Sequence, residues 1–269
     1  MELRPNCWTK AICESLIESP LLVNDLPEAG SFPRASLKLP TREGSLNFEQ
    51  KLGHLYEQAL AALLESSPRF DLVARNIRIQ IDVHQTVGEL DFLVRDFLTD
   101  QFVHLELATK FYLAIESEAG LLLPGPDARD NYFRKLHRLR THQLQLTQRH
   151  QAHFPEPYNK PFILTQQLIF GCLFNHIHAS RPARPEFSNP KGRHGYWLRV
   201  DEIHRHFTDE MKFEVIPKQL WPVPLEMIKE VSLDQWEPDS TLDRCVMVRA
   251  SGLSDPYFIA PNSFPDHGS

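Results

Sequence analysis

Between Gly88 and Tyr112 the chain alternates apolar and polar residues with the two-residue period of a half-buried strand, twice, across a turn. In Gly88–Asp96 the residues Leu90, Phe92 and Val94 share one face, and Glu89, Asp91 and Arg95, interrupted by Leu93, share the other. In Phe102–Tyr112 the apolar face is Val103, Leu105, Leu107 and Phe111, opposite His104, Glu106, Ala108, Lys110 and Tyr112. A reversal at Phe97–Asp100, marked by Thr99-Asp100, predicts an antiparallel register in which Asp91 faces Glu106, Leu93 faces His104 and Glu89 faces Ala108.

The flanking pattern predicts alternating helices and strands. A helix over Ser45–Leu64, with Ser45 as its N-cap, presents Leu52, Leu55, Tyr56, Ala59, Leu60 and Leu63 at helical spacing. Phe70–Val83 is rich in β-branched residues and reads as a strand with a bend at Asn76. Asn131–Gln151 carries a narrow apolar stripe (Phe133, Leu136, Leu139, Leu144, Leu146) and reads as one helix, capped by Asp127 or Asp130. The near-continuous apolar run Ile163–Phe174 reads as a buried strand. The expected fold is α/β: a mixed central sheet of these four strands between the two helices. Residues 1–44 contain a short helix around Trp8–Ile17 and then Pro20, Pro27, Pro33 and Pro40, the pattern of an arm laid over a core at 45–180. Residues 181–269 alternate loops with short strands (Arg244–Val248, Tyr257–Ala260) and a helix at Val200–Phe207, a C-terminal extension packed on the core.

Composition narrows the function classes. At 269 residues and 42% hydrophobic the chain can bury a real core. It lacks an apolar leader and an apolar run of membrane length, so a cytoplasmic protein with no membrane partner is expected. Cys7, Cys13, Cys172 and Cys245 form no paired-spacing motif and read as reduced, mostly packed thiols. The net charge of −6 argues against indiscriminate binding of polyanions. Contact with DNA would depend on local patches, of which Pro126–His150 is the denser: Arg129, Arg134, Lys135, Arg138, Arg140 and Arg149 against Asp127 and Asp130. Within it Lys135, Arg138 and Arg140 are the candidate phosphate contacts.

The predicted hairpin carries the chemistry. Carboxylates directly opposite each other, with Cβ atoms about 4.5–5.5 Å apart, weaken a sheet unless something compensates. A hard divalent cation such as Mg²⁺ or Mn²⁺ does so while keeping positions open for water and phosphate. Lys110 shares that face and adds a positive charge; a solvated face on which the acids and the lysine simply pair is the alternative. His104 shares the face with Glu106, and Glu89 extends it. His176-x-His178, at a strand end without acidic or Cys neighbours in sequence, reads as structural.

GELDFLVRD followed by HLELATKFYL resembles the motif core of the PD-(D/E)XK nuclease superfamily, in which an Asp ends one strand and Glu-x-Lys lies on the next. These segments and the GPDARDNYFRKLHRLRTHQL run after them are more closely similar to the bacterial family called domain of unknown function 1853, grouped with that superfamily, over roughly Phe48 to the C-terminus. The resemblance implies a restriction-endonuclease-like core and metal-dependent hydrolysis of DNA phosphodiesters. It implies that Asp91 and Glu106 are metal ligands and that Glu57, in Gly53-x-x-x-Glu57, is a further ligand or orients water. Lys110 would stabilise the transition-state charge, and Gln143 would be a helper on the basic helix. One position departs: the superfamily lysine belongs at Ala108. A catalytically inactive nuclease-like module that binds nucleic acid or a protein is therefore the second function class.

Overall fold

The computed structural model describes residues 3–41, 45–118, 120–159 and 161–266, with side chains from Asn6 onward. In chain order the elements are α1 (Leu3–Glu18), β1 (Gly30–Ser31), α2 (Leu52–Glu65), β2 (Phe70–Gln80), β3 (Thr86–Asp96), β4 (Gln101–Ser117), β5 (Gly120–Leu122), α3 (Tyr132–Thr141), α4 (Leu146–His150), β6 (Ile163–His176), β7 (Arg193–Arg199), α5 (Ile203–His206), β8 (Phe213–Val215), β9 (Gln235–Trp236), β10 (Val246–Ala250) and β11 (Pro256–Ala260). They build one mixed sheet in the order β2-β3-β4-β6-β7-β11-β10-β8-β9, with β1 added to β6 and β5 to β4. Pairing is parallel at β4–β6, β6–β7 and β7–β11.

The four predicted strands are present and adjacent, and the two faces of β4 explain why. Val103, Leu105, Leu107, Phe111 and Leu113 pack into the main core with α1 and α2. On the other face Ala108, Tyr112 and Ala114 pack with Tyr132, Leu139 and Leu144 of the α3 region. Helices therefore cover the sheet on both sides. Leu90, expected beside Phe92 and Val94, joins a separate cluster with Leu93, Ile79 and Leu146.

The β3–β4 hairpin has the predicted register, with Leu93 opposite His104, but its ladder ends at Phe92–Leu105. One residue further the strands part, and the Leu107 N–H donates to Oδ2 of Asp91 at 3.0 Å. The expected pairing of Glu89 with Ala108 does not form; Glu89 pairs only with Arg78 on β2. Facing carboxylates disfavour continued pairing at Asp91 and Glu106, and the side-chain acceptor replaces the backbone bond that Leu107 forgoes.

Four local expectations are corrected. The Ser45–Leu64 helix begins at Leu52. Before it, the Asn47 side chain accepts from the Glu49 N–H and Gln58 accepts from the Asn47 N–H, a local turn that competes with helix. The Ser45 hydroxyl donates to the Leu46 carbonyl and caps nothing. The Asn131–Gln151 helix breaks at His142 (φ −128, ψ −70), passes through a 3-10 turn at Gln143–Gln145 and resumes as α4. Its cap is Asn131, whose side chain accepts from the Phe133 and Arg134 N–H groups, rather than Asp127 or Asp130.

The two flanking segments join the same core. Ala11, Ile12, Cys13 and Leu16 of α1 and Ile216, Leu220, Trp221, Met247 and Phe258 of the C-terminal segment belong to one buried cluster. Cys13, Cys172 and Cys245 are free and buried, and Cys7 is free and exposed. Among the described residues no helix is long and apolar enough to cross a membrane.

Candidate functional site

Where β3 leaves β4 the sheet opens into a cleft of about 830 Å³. Glu106–Tyr112 of β4 line it, together with Gly53, Tyr56 and Glu57 of α2, Lys135 and Leu139 of α3, and Lys218, Trp221 and Arg244 of the C-terminal segment. Asp91 and Glu106 both open into it. Glu57, on the helix packed against the Leu105 and Leu107 face, lines it as well.

Glu106 is the most enclosed acid, only 3% exposed. Its Oε1 accepts from Gln143 Nε2 at 2.6 Å, a contact that the chain break at His142 makes available. Its Oε2 is buried with no hydrogen-bond partner. The closest cationic candidate, His104 Nε2, stands 3.6 Å away, beyond hydrogen-bond range. Burial, followed by the nearby Glu57 charge, pushes the Glu106 carboxyl up to about 8. Burial and the charge of Glu106 push Asp91 up to about 8 as well. His104 is fully buried, neither ring nitrogen has a partner, and burial pushes it down to about 4. It is therefore neutral near pH 7.

The remaining predicted residues divide. Glu57 lines the cleft, and its Oε2 lies 3.3 Å from His54 Nδ1. Lys110 also lines the cleft, but its Nζ pairs with Asp130 Oδ2 at 3.4 Å, toward the loop before α3. Lys135 lies at the cleft and at an adjoining hollow of about 360 Å³ shared with Arg129, Arg134 and Arg138. Arg140 points elsewhere: it donates from Nε and Nη2 to the Glu28 carboxylate, both at 2.9 Å, and lies over the Phe187 ring at 4.3 Å. Glu89 is outside the cleft lining and sits 3.6 Å from Arg78 Nε. His176 lies 3.3 Å from Glu202, which also accepts from the Arg199 N–H, so the pair fastens a helix start.

Two cleft residues escaped the sequence reading, Lys218 and Arg244. Lys218 opens a 3-10 turn at Lys218–Leu220, and Arg244, expected to begin the strand Arg244–Val248, lies just before β10, so neither position marks a face. Among the described residues no group of three or more His, Cys, Asp or Glu side chains stands as a preformed metal cage.

Neither a curated protein nor a solved structure matches the chain. A family profile does, over residues 17–260, which include the fork, both acidic strands, the Gln143 turn and the extension that closes the cleft. By that match the chain belongs to the family described as Domain of unknown function (DUF1853).

Proposed function

We propose that the protein is a Mg²⁺- or Mn²⁺-dependent phosphodiesterase acting on DNA, with a nuclease-like core of the PD-(D/E)XK kind. The observation that carries this reading is the orphaned Oε2 of Glu106, buried in a cleft beside Asp91. An unpartnered carboxylate oxygen with that little exposure is costly unless a proton or a cation satisfies it. The donor set fits a hard ion: Mg²⁺ is typically held by one or two carboxylates with waters and substrate phosphates, so a three-residue cage is not required. Bound there, such an ion would activate water and offset charge on the phosphate oxygens.

The chain's own residues then have defined tasks. Asp91 and Glu106 would hold the ion, and the Gln143 amide fixes the Glu106 rotamer through Oε1, leaving Oε2 free. Glu57 adds negative charge at the gap and would orient a water. Lys135 and Arg138, at the rim, would hold flanking phosphates. Lys110 would serve the transition state only after leaving Asp130, because residues i and i+4 of a strand stand about 13 Å apart. That pairing, together with Ala108, favours the second reading, a nuclease-like module that binds DNA without cleaving it.

The deciding experiment is calorimetric titration of MgCl₂ and MnCl₂ into wild type, Asp91→Asn and Glu106→Gln, alongside cleavage assays on single-stranded, duplex and branched DNA. The reading expects saturable binding by wild type, its loss in both variants, and cleavage that Lys110→Met abolishes. Cation binding without cleavage of any substrate supports the binding module. Absence of cation binding removes the metal-dependent reading.

A further inference from the structure

The cleft differs from an open DNA-binding groove in where its acids lie. Glu106 is only 3% exposed, and the cleft around it holds about 830 Å³. An intact duplex is stiff over about 150 bp and carries its phosphates on the outside of a thick rod. It can rest across the mouth of such a cleft but cannot bring a phosphate to a carboxylate that deeply covered. A single strand can, because its backbone bends at every nucleotide.

Charge at the rim points the same way. The protein is acidic overall, with a formal charge of −6, and the cleft floor is acidic. Yet Lys135, Lys218 and Arg244 line the cleft, and none of the three makes an ion pair among the described residues. They come from two layers of the molecule. Lys135 belongs to α3, whose Tyr132 and Leu139 pack on one face of β4. Lys218 and Arg244 belong to the C-terminal segment, whose Ile216, Trp221 and Met247 pack with Phe111 on the other face. Lys218 Nζ is braced over the Trp221 ring at 5.6 Å. Asp127 and Asp130 line the cleft as well, Asp130 paired with Lys110. The unpaired cations Lys135, Lys218 and Arg244 stand on both sides of the carboxyl floor, a pattern that grips a polyanion before and after the residue held there.

We infer that the cleft takes a single DNA strand rather than an intact duplex, held between Lys135 on the α3 side and Lys218 and Arg244 on the C-terminal side. The inference rests on the nucleic-acid reading above but does not require cleavage. It gives the C-terminal extension a function, as the second phosphate-contacting wall.

The test is fluorescence anisotropy of the full chain in EDTA, with a labelled 12-nucleotide single strand and the matching blunt duplex, across about 50–200 mM salt. The expected result is single-strand affinity about tenfold or more above duplex affinity. Lys218→Ala combined with Arg244→Ala should lower single-strand affinity about tenfold and flatten the salt slope by about 1.4, at roughly 0.7 per phosphate contact. Both residues are exposed, so the thermal transition of the double variant should match wild type. Equal or tighter binding of duplex overturns the inference and leaves the nuclease-like reading standing. Unchanged affinity and slope in a folded double variant overturn it too. If neither DNA form binds, the inference falls together with the nucleic-acid reading.

Discussion

Replacing Asp91 by Asn should make the metal-free protein more stable in alkaline buffer and remove its response to divalent cations. Burial, followed by the charge of Glu106, raises Asp91 from 3.8 to about 8, and burial, followed by the charge of Glu57, raises Glu106 from 4.5 to about 8. Between the unfolded and folded values the native state holds protons that the unfolded chain has released. Stability therefore falls as pH rises through that window and is lowest above about 8. At about 1.4 kcal/mol per pH unit, one such shift is worth on the order of 5 kcal/mol. Because the charge of Glu106 contributes to the Asp91 value, the two shifts are not independent, and the pair together should be taken as about that much rather than twice it. His104 acts oppositely: with a folded value of about 4 against 6.5, it adds stability as pH rises between those limits. The net decline is therefore steepest from about 6.5 to 8. Asp91→Asn keeps an oxygen for the Leu107 N–H and removes one charge. In urea unfolding followed by Trp fluorescence in EDTA, the variant should exceed wild type by roughly 2–3 kcal/mol near pH 8.5 and lie close to it near pH 5. Added MgCl₂ should stabilise wild type alone. Wild-type stability that is flat between about pH 6 and 9 would refute the argument, because buried carboxyls beside other acids cannot ionise without cost.

Arg140→Ala should cost about 1–3 kcal/mol by breaking the two-pronged contact with Glu28 and the stack on Phe187, and leave the salt dependence of DNA binding unchanged. Arg138→Ala should do the reverse, shifting stability by no more than about 0.5 kcal/mol while lowering DNA affinity; urea unfolding and anisotropy separate the two. Gln143→Ala should lower cation affinity about 10- to 100-fold by calorimetry, since it frees the Glu106 rotamer; unchanged affinity would make that hydrogen bond incidental. Gly171→Ala should destabilise by roughly 3 kcal/mol or more: φ is +149 and a Cβ would lie 1.6 Å from the Lys110 carbonyl oxygen, so a wild-type melting temperature would contradict the close β4–β6 approach.

The side of the sheet on which a residue lies depends only on its parity along a strand. For that reason alternation through Phe92 and Val94, and through Val103 to Leu107, was enough to locate two adjacent strands. Parity fails at Leu90, which packs with Leu93, and Asp91 and Glu106 open into one cleft beyond the end of that ladder. The turn at Phe97–Asp100 was legible on the same local grounds, and Asp100 takes the positive φ of 54 that its residue type tolerates. Parity does not reveal where a ladder stops, and the β3–β4 ladder ends at Phe92–Leu105, one step before the two carboxylates would meet. Nor does it reveal which partner a long cation will find. Arg140 looked like a phosphate ligand because its helix is basic, but Glu28 lies 112 positions away and decides otherwise. The break at His142, which aims Gln143 at Glu106, interrupts a stripe that reads as continuous. Lys218 sits in a short 3-10 turn and Arg244 in an exposed bend two residues before β10, where the expected strand does not reach, so periodicity could not assign either to the cleft. Local periodicity thus determined the strands and their faces, while long-range packing decided which charged groups share the cleft and which are tied down elsewhere.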